Sequence, residues 1–335
     1  MKRYLIPDTG SFYKANLHCH STVSDGKRTP QEIKEIYMGK GYSVIAFTDH
    51  NVLVPHPDLR SDHFLPLNGF EADVTAEGAG PWDTKKTCHI CFIAMDPENI
   101  TMPFYHRSAY FGGNAVNYRQ QVVFDESQPD YVREYSHAGV CDMMRRGREA
   151  GFFVTYNHPT WSRENYSEYM GYEGMHAMEI MNYDCWVGGY LEYNPRVYDD
   201  MLSAGKRIYA IAADDNHGWS DDECGAWTMI KAENLSYSAI MDALVKGHFY
   251  ASWGPEIHAL WTEGDTIHIT CSPAQRIVVT YQTRRSYAIR GEGLTEAAFR
   301  LRPDDGYVRI TVVDAEGRCA DTNAYFMDDL LNSDE

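Results

Sequence analysis

Seven short runs of β-branched and aromatic residues, at 15–18, 42–48, 64–73, 89–94, 152–156, 177–181 and 207–212, alternate with helix-like segments through the first 250 residues of the chain. Strands that alternate with helices in this way pair into a largely parallel sheet, because parallel neighbours need a long crossover rather than a tight turn. The pattern therefore predicts an α/β fold with seven strands in its main unit. From about Glu256 the texture changes to short alternating runs at 266–270, 276–281 and 307–313, separated by Gly, Asp and Pro. That change predicts a small all-β C-terminal domain, so the expected division is 1–255 and 256–335.

Helix starts and stops support the same reading. Thr29 is placed to cap the first helix, Pro30 suits its first position, and Glu32 stands three residues after Thr29 as the return partner of a capping box. This helix is expected to end at Gly39 or Gly41. Later helices are expected at 138–149, 194–203 and 237–246, the last two running up to Gly205 and Gly247. The stretch 96–135 lacks clean periodicity and is rich in Tyr, Phe, Gly and Asn. Two readings fit it: a lid whose rings, among them Tyr105, Tyr110, Phe111 and Tyr118, stack on a substrate, or an ordinary packed excursion.

Charge and hydropathy remove several classes of function. A formal net charge of −18 leaves no basic stripe for a nucleic-acid backbone. No stretch approaches the roughly 18 apolar residues of a membrane span, and no apolar run of secretory length follows Lys2 and Arg3, so a cytoplasmic protein is expected. The eight cysteines are scattered, with Cys88 and Cys91 forming a lone CxxC, which fits free thiols better than a zinc ribbon.

The chemistry-bearing residues lie at the ends of the strand runs. His18-Cys19-His20 would put both imidazoles on one face of a strand. With 14 histidines in the chain, such a pair arises by chance about 0.6 times, so it needs company. Asp25 follows in Ser24-Asp25-Gly26, and His50 closes Thr48-Asp49-His50. Glu71 stands in Gly69-Phe70-Glu71, His89 in Thr87-Cys88-His89, His158 in Asn157-His158-Pro159, and Asp215 and His217 in Asp215-Asn216-His217. Any one of these alone is more often a satisfied core or capping group. Together they give six imidazoles and three carboxylates, a donor set suited to Zn, Mn or Fe. In an α/β barrel the C-terminal strand ends share one rim, so residues far apart in sequence would converge there. His89 is the exception, because it precedes its apolar run; a hairpin between the third and fourth strands would bring it back to the rim.

This series of motifs resembles the polymerase-and-histidinol-phosphatase (PHP) metallohydrolases over roughly residues 14–220. The resemblance implies a distorted seven-stranded β/α barrel with three divalent metal ions per chain at its rim. It groups His18, His20, Glu71 and Asp215 at one ion, Glu71, His89 and His158 at a second, and Asp25, His50 and His217 at a third. Asp214 precedes the final D-x-H motif and is expected behind the ligands, and Asp49 is expected either to orient an imidazole or to cap a strand end.

The expected activity is hydrolysis of a small-molecule phosphoester by a metal-bound hydroxide, with Glu71, Asp215 and His217 catalytic as well as metal-binding. Arg163 is the first candidate for binding a substrate anion, with Lys27, Arg28 and Arg119 as competitors. The same centre would also suit an aryl carbamate or carboxylic ester: arginines around the rim would favour the phosphoester, and a neutral aromatic pocket the alternative. A purely structural metal site needs only about four donors, fewer than this sequence supplies. Oligomeric state is left open by the sequence.

Overall fold

The computed structural model describes residues 2–331. Among them are eight α-helices and one sixteen-stranded sheet, a mixed α/β architecture. The seven expected runs form the strands Ser11–Asn16, Tyr42–Phe47, Leu65–Thr75, Thr87–Ala94, Phe152–Tyr156, Ala177–Asn182 and Tyr209–Ala213, which neighbour one another in chain order. Pairing is parallel except around Thr87–Ala94, which runs antiparallel to both its neighbours. The hairpin inferred from His89 is thus present.

These strands read as nearly continuous apolar runs because both their faces are covered. Val44 and Ala46 pack into one buried cluster, while Ile45 and Phe47 pack into another on the opposite face. The first helix, Pro30–Met38, carries the complete Thr29–Glu32 capping box and stops at Gly39. His137–Glu149, Pro195–Ser203 and Tyr237–Lys246 follow, the last ending at Gly247 in the left-handed conformation. Gly147 lets its helix lie directly on the sheet, since a Cβ there would meet the Phe92 ring at 2.3 Å.

Two expectations change. The first strand ends at Asn16, so His18-Cys19-His20 lies beyond it rather than on it. Nor does the ladder close the seven strands into a ring. Trp227–Ala232 pairs antiparallel with Ser11–Asn16, and Phe249–Ser252 continues the sheet. The ends of the first and seventh strands meet instead through an isolated parallel bridge between Cys19 and Asn216. Backbone bonds from Asp215 N to His18 O (2.9 Å) and from His20 N to Asn216 O (3.2 Å) flank that bridge.

Beyond residue 255 the chain is β-rich, with long strands Thr266–Tyr281 and Ser286–Arg300 and a separate buried cluster around Ile269, Val279 and Ile310. The ladder crosses into this region without a break: Phe249–Ser252 pairs with Cys319–Thr322, and Lys2–Tyr4 pairs with Ile257–Glu263. No helix of the described residues is long and apolar enough to cross a membrane.

Candidate metal centre

All nine expected ligands gather around the fully buried Glu71; seven of them line one cleft, and the buried His18 and His20 complete the cluster. His18 Nε2 lies 3.1 Å from Glu71 Oε1 and 3.0 Å from Asp215 Oδ1. His20 Nε2 lies 3.0 Å from the same Asp215 oxygen and 3.1 Å from His18 Nε2. On one side His89 Nδ1 and His158 Nε2 approach Glu71 Oε1 at 3.2 and 3.5 Å. On the other, His50 and His217 approach the two Asp25 oxygens at 3.6 and 3.7 Å.

Local backbone explains how these side chains arrive. Seven leave the ends of strands or the turns after them, Glu71 stands within the strand Leu65–Thr75, and His89 comes from the start of the antiparallel strand. Gly26 packs so tightly behind the Asp25 turn that a Cβ would meet the His20 carbonyl oxygen at 2.5 Å. His158 and Asp215 are held at positive φ, 23° and 56°. Non-glycine residues adopt that region at a cost of about 1 kcal/mol or more, a strain that clusters at functional sites.

The outward nitrogens of the imidazoles are tied down, which fixes the inward ones. His18 Nδ1 donates to Glu179 Oε1 at 2.7 Å, and His217 Nδ1 donates to the Asp215 carbonyl at 2.7 Å. A carboxylate or carbonyl can only accept, so in the neutral form of each ring the lone pair sits on Nε2, facing the cluster. His158 Nδ1 is hydrogen-bonded with the Ser162 hydroxyl at 3.2 Å. Such partners orient metal-binding imidazoles and raise their basicity.

Three buried polar atoms in the cluster, Glu71 Oε2, Asp215 Oδ1 and His89 Nε2, make no hydrogen bond: imidazole nitrogens stand 3.0 Å from the two carboxylate oxygens but without hydrogen-bond geometry. Buried polar atoms are nearly always satisfied, so orphans inside a cage of carboxylate and imidazole fit cation ligands. The electrostatics agree. Burial opposes protonation of His18, yet Asp215, Cys91, Glu71 and Glu179 together raise its pKa well above the ordinary value. Burial likewise works against ionisation of Glu71, but His18, His89 and His50 outweigh it and hold the carboxyl well below its usual range. His50, desolvated and beside His20, is pushed down to about 4. The carboxylates demand positive charge, and protons on some imidazoles supply it when no cation does.

Asp214 and Asp49 turn out to organise loops. Asp214 accepts from the backbone of Cys224, Gly225 and Ala226 and from the Tyr37 hydroxyl, while Asp49 accepts from the backbone and hydroxyls of Ser21 and Ser24. Neither touches an imidazole in these bonds. Glu179, Asn157 and Asn182 escaped the sequence reading. Asn157 donates to Glu71 Oε1 at 3.1 Å, and Asn182 bridges Glu179 and Asp215 at 2.9 and 3.1 Å. A signal existed for Glu179: it is a charged residue in the middle of an apolar strand, where an unpaired charge would be very costly.

The cleft above the cluster has a volume of about 580 Å³ and is walled by Trp82, Trp161, Trp219, Tyr110 and Phe111. Among the described residues, no lysine or arginine lines it. Arg163 is exposed and outside this lining, on backbone turned by a positive φ of 61°. Arg28 is ion-paired with Glu223, Arg119 is exposed, and Lys27 rests its ammonium 3.8 Å from the centroid of the Trp219 ring. The 96–135 stretch is largely a packed excursion, with Tyr105 and Tyr118 set against the core and Tyr110 and Phe111 at the cleft. Phe104 and Val122 are buried in the core, and the Tyr110–Gly112 tip reaches the cleft.

No family model and no curated protein matches this chain in sequence. Similar solved structures include a two-domain protein from Bacteroides vulgatus containing a predicted PHP-like metal-dependent phosphoesterase, at 16% identity and a TM-score of 0.46, covering 96% of this chain and 97% of that one. A candidate metal-dependent phosphoesterase from Bifidobacterium adolescentis matches at 15% identity and a TM-score of 0.37, over 72% of this chain and 98% of its own. An amidohydrolase from Chromobacterium violaceum matches at 17% identity and a TM-score of 0.34, over 62% and 89%. Likeness at this level leaves the chemistry to be argued from the cleft.

Proposed function

We propose that the chain is a metal-dependent hydrolase of small phosphoesters, built on a distorted β/α barrel whose first and seventh strands meet at the Cys19–Asn216 bridge. The observation that carries this reading is the convergence of nine donors on Glu71 with three orphaned buried atoms among them. His18, His20, Glu71 and Asp215 would hold one divalent ion, Glu71, His89 and His158 a second, and Asp25, His50 and His217 a third; Zn, Mn and Fe all suit these donors. When bound, such ions supply Lewis-acid stabilisation of developing negative charge and acidify water at neutral pH. The protein's own part is positioning. Glu179, Ser162 and the Asp215 carbonyl lock three imidazoles, and Trp161 covers His89 and His158 with ring centroids 5.1 and 5.0 Å away, shielding that end from bulk water.

A second reading, hydrolysis of an aryl carbamate or carboxylic ester at the same centre, is favoured by one specific observation: the aromatic cleft wall carries no basic side chain. Elemental analysis of protein purified without chelators, paired with phosphomonoester, phosphodiester, ester and carbamate substrates, separates the two. Near three metal ions per chain with phosphoester turnover that His158→Ala abolishes is the expected result. Turnover of esters or carbamates alone would establish the second reading, and a folded chain that binds no metal and turns over nothing would overturn both.

A further inference from the structure

The cleft divides into two parts of opposite chemistry. Its floor carries three ligand carboxylates, Asp25, Glu71 and Asp215, so three divalent ions would leave the floor net positive and able to meet one phosphoryl group. Among the described residues no cation lines its walls to meet a second anion; the Lys27 ammonium is engaged on the Trp219 ring, 3.8 Å from its centroid. Arg133, which packs on the wall residues Asp73 and Tyr110, is consumed: its guanidinium donates to the Asp73 carbonyl at 2.6 Å and stacks 4.3 Å from the Tyr110 ring. The carboxylates of Asp73 and Asp184 face the same space.

What the walls do offer is ring surface at both ends of the ligand row. Trp161 packs its edge on His89 and His158, and Trp82 packs on Trp161 with centroids 5.8 Å apart. At the other end Trp219 follows His217 and donates its indole N–H to the Asp25 carbonyl at 3.2 Å. Trp82 and Trp219 remain 55% and 67% exposed, so ring surface is open to a ligand beside the charged floor. Flat faces of this kind favour planar rings over flexible alkyl chains, because stacking gains contact without ordering further torsions.

We propose that the substrate is a monophosphate ester whose alcohol portion carries a planar, uncharged aromatic ring and no second phosphate; this rests on the phosphoesterase reading above. The ring would lie against the Trp82–Trp161 pair, with Trp219 and Tyr110 closing the opposite side.

The test compares 2-phenylethyl phosphate with butyl phosphate, two esters whose departing alkoxides are of similar basicity, on the metal-loaded full chain. Alongside them, tryptophan fluorescence follows binding of the corresponding non-hydrolysable phosphonates. A preference for the phenyl compound on the order of tenfold in kcat/KM and in phosphonate affinity is expected, in line with aromatic stacking elsewhere. Trp82→Ala, which touches none of the nine ligand residues, should narrow that preference several-fold, mainly through KM. Equal handling of the two esters, or equal binding of the two phosphonates, would overturn the ring proposal and leave the phosphoesterase reading standing. A preference for a nucleoside 3′,5′-bisphosphate over the corresponding monophosphate would overturn the exclusion of a second phosphate. Metal loading without hydrolysis of any phosphoester would overturn the underlying reading, and the phosphonate titration would still decide whether the walls select a ring.

Discussion

Two buried polar clusters in this molecule meet opposite ends. Around Arg309 every strong group is answered: its guanidinium grips both Asp199 oxygens at 2.7 Å and reaches Asp321 at 3.2 Å, while Tyr193 and Tyr307 donate to the same carboxylates. Around Glu71 the carboxylates face imidazoles, and three buried atoms are left over. Both clusters join distant elements, but the first satisfies its strong hydrogen-bonding groups from within and the second does not. A self-satisfied network ties elements together, whereas an incomplete one specifies what must be added.

The largest test of that contrast is the loss of Glu71. Glu71→Gln should lower metal-dependent turnover on the order of a thousandfold and reduce metal content, measured together by assay and elemental analysis, because it removes a charge shared by two ligand groups. Arg309→Met should do the reverse: it leaves metal content unchanged and costs about 3 to 5 kcal/mol in denaturant unfolding, since Asp321 would be buried without its cation. An Arg309 variant that lost metal but not stability would erase the distinction.

Smaller effects sharpen it. Glu179→Gln keeps a hydrogen-bond acceptor beside His18 but loses its charge, so metal affinity should weaken by about 10- to 100-fold in competition titrations. The metal-free protein should also respond to pH at the cleft. Burial disfavours charged His158, but Glu71, Asp215 and Glu179 prevail and raise its pKa to about 9. The stabilisation from that proton is complete below the unfolded value near 6.5 and is lost as pH rises through about 9. Melting of chelator-treated protein should therefore fall across this window, while metal affinity rises because fewer protons must be displaced.

The donors were legible because each is a distinctive residue and most follow a strand end, where topology alone brings them together. The first helix was legible to its cap because Thr29, Pro30 and Glu32 act locally. What the sequence concealed depends on distant partners. Trp227–Ala232 alternates like an ordinary amphipathic edge, and nothing nearby shows that it will pair with Ser11–Asn16 and extend the sheet past the first strand. The His18-Cys19-His20 pair was placed on a strand because its spacing fits a pleat, yet the two rings converge from a segment past the strand end. Arg163 looked well placed from its closeness to His158, but a left-handed residue redirects the chain there.

The unbroken ladder has a practical consequence for anyone dissecting the chain. Cutting after residue 255 would strip Phe249–Ser252 of its Cys319–Thr322 partner and remove the Asn323 amide that donates to the Gly247 and Phe249 carbonyls. The fragment would expose a raw, apolar strand edge flanked by Tyr250 and Ala251, the kind of template on which chains stack into aggregates. The metal-binding half is thus expected to be insoluble when expressed without the β-rich remainder, which acts as its permanent edge cover.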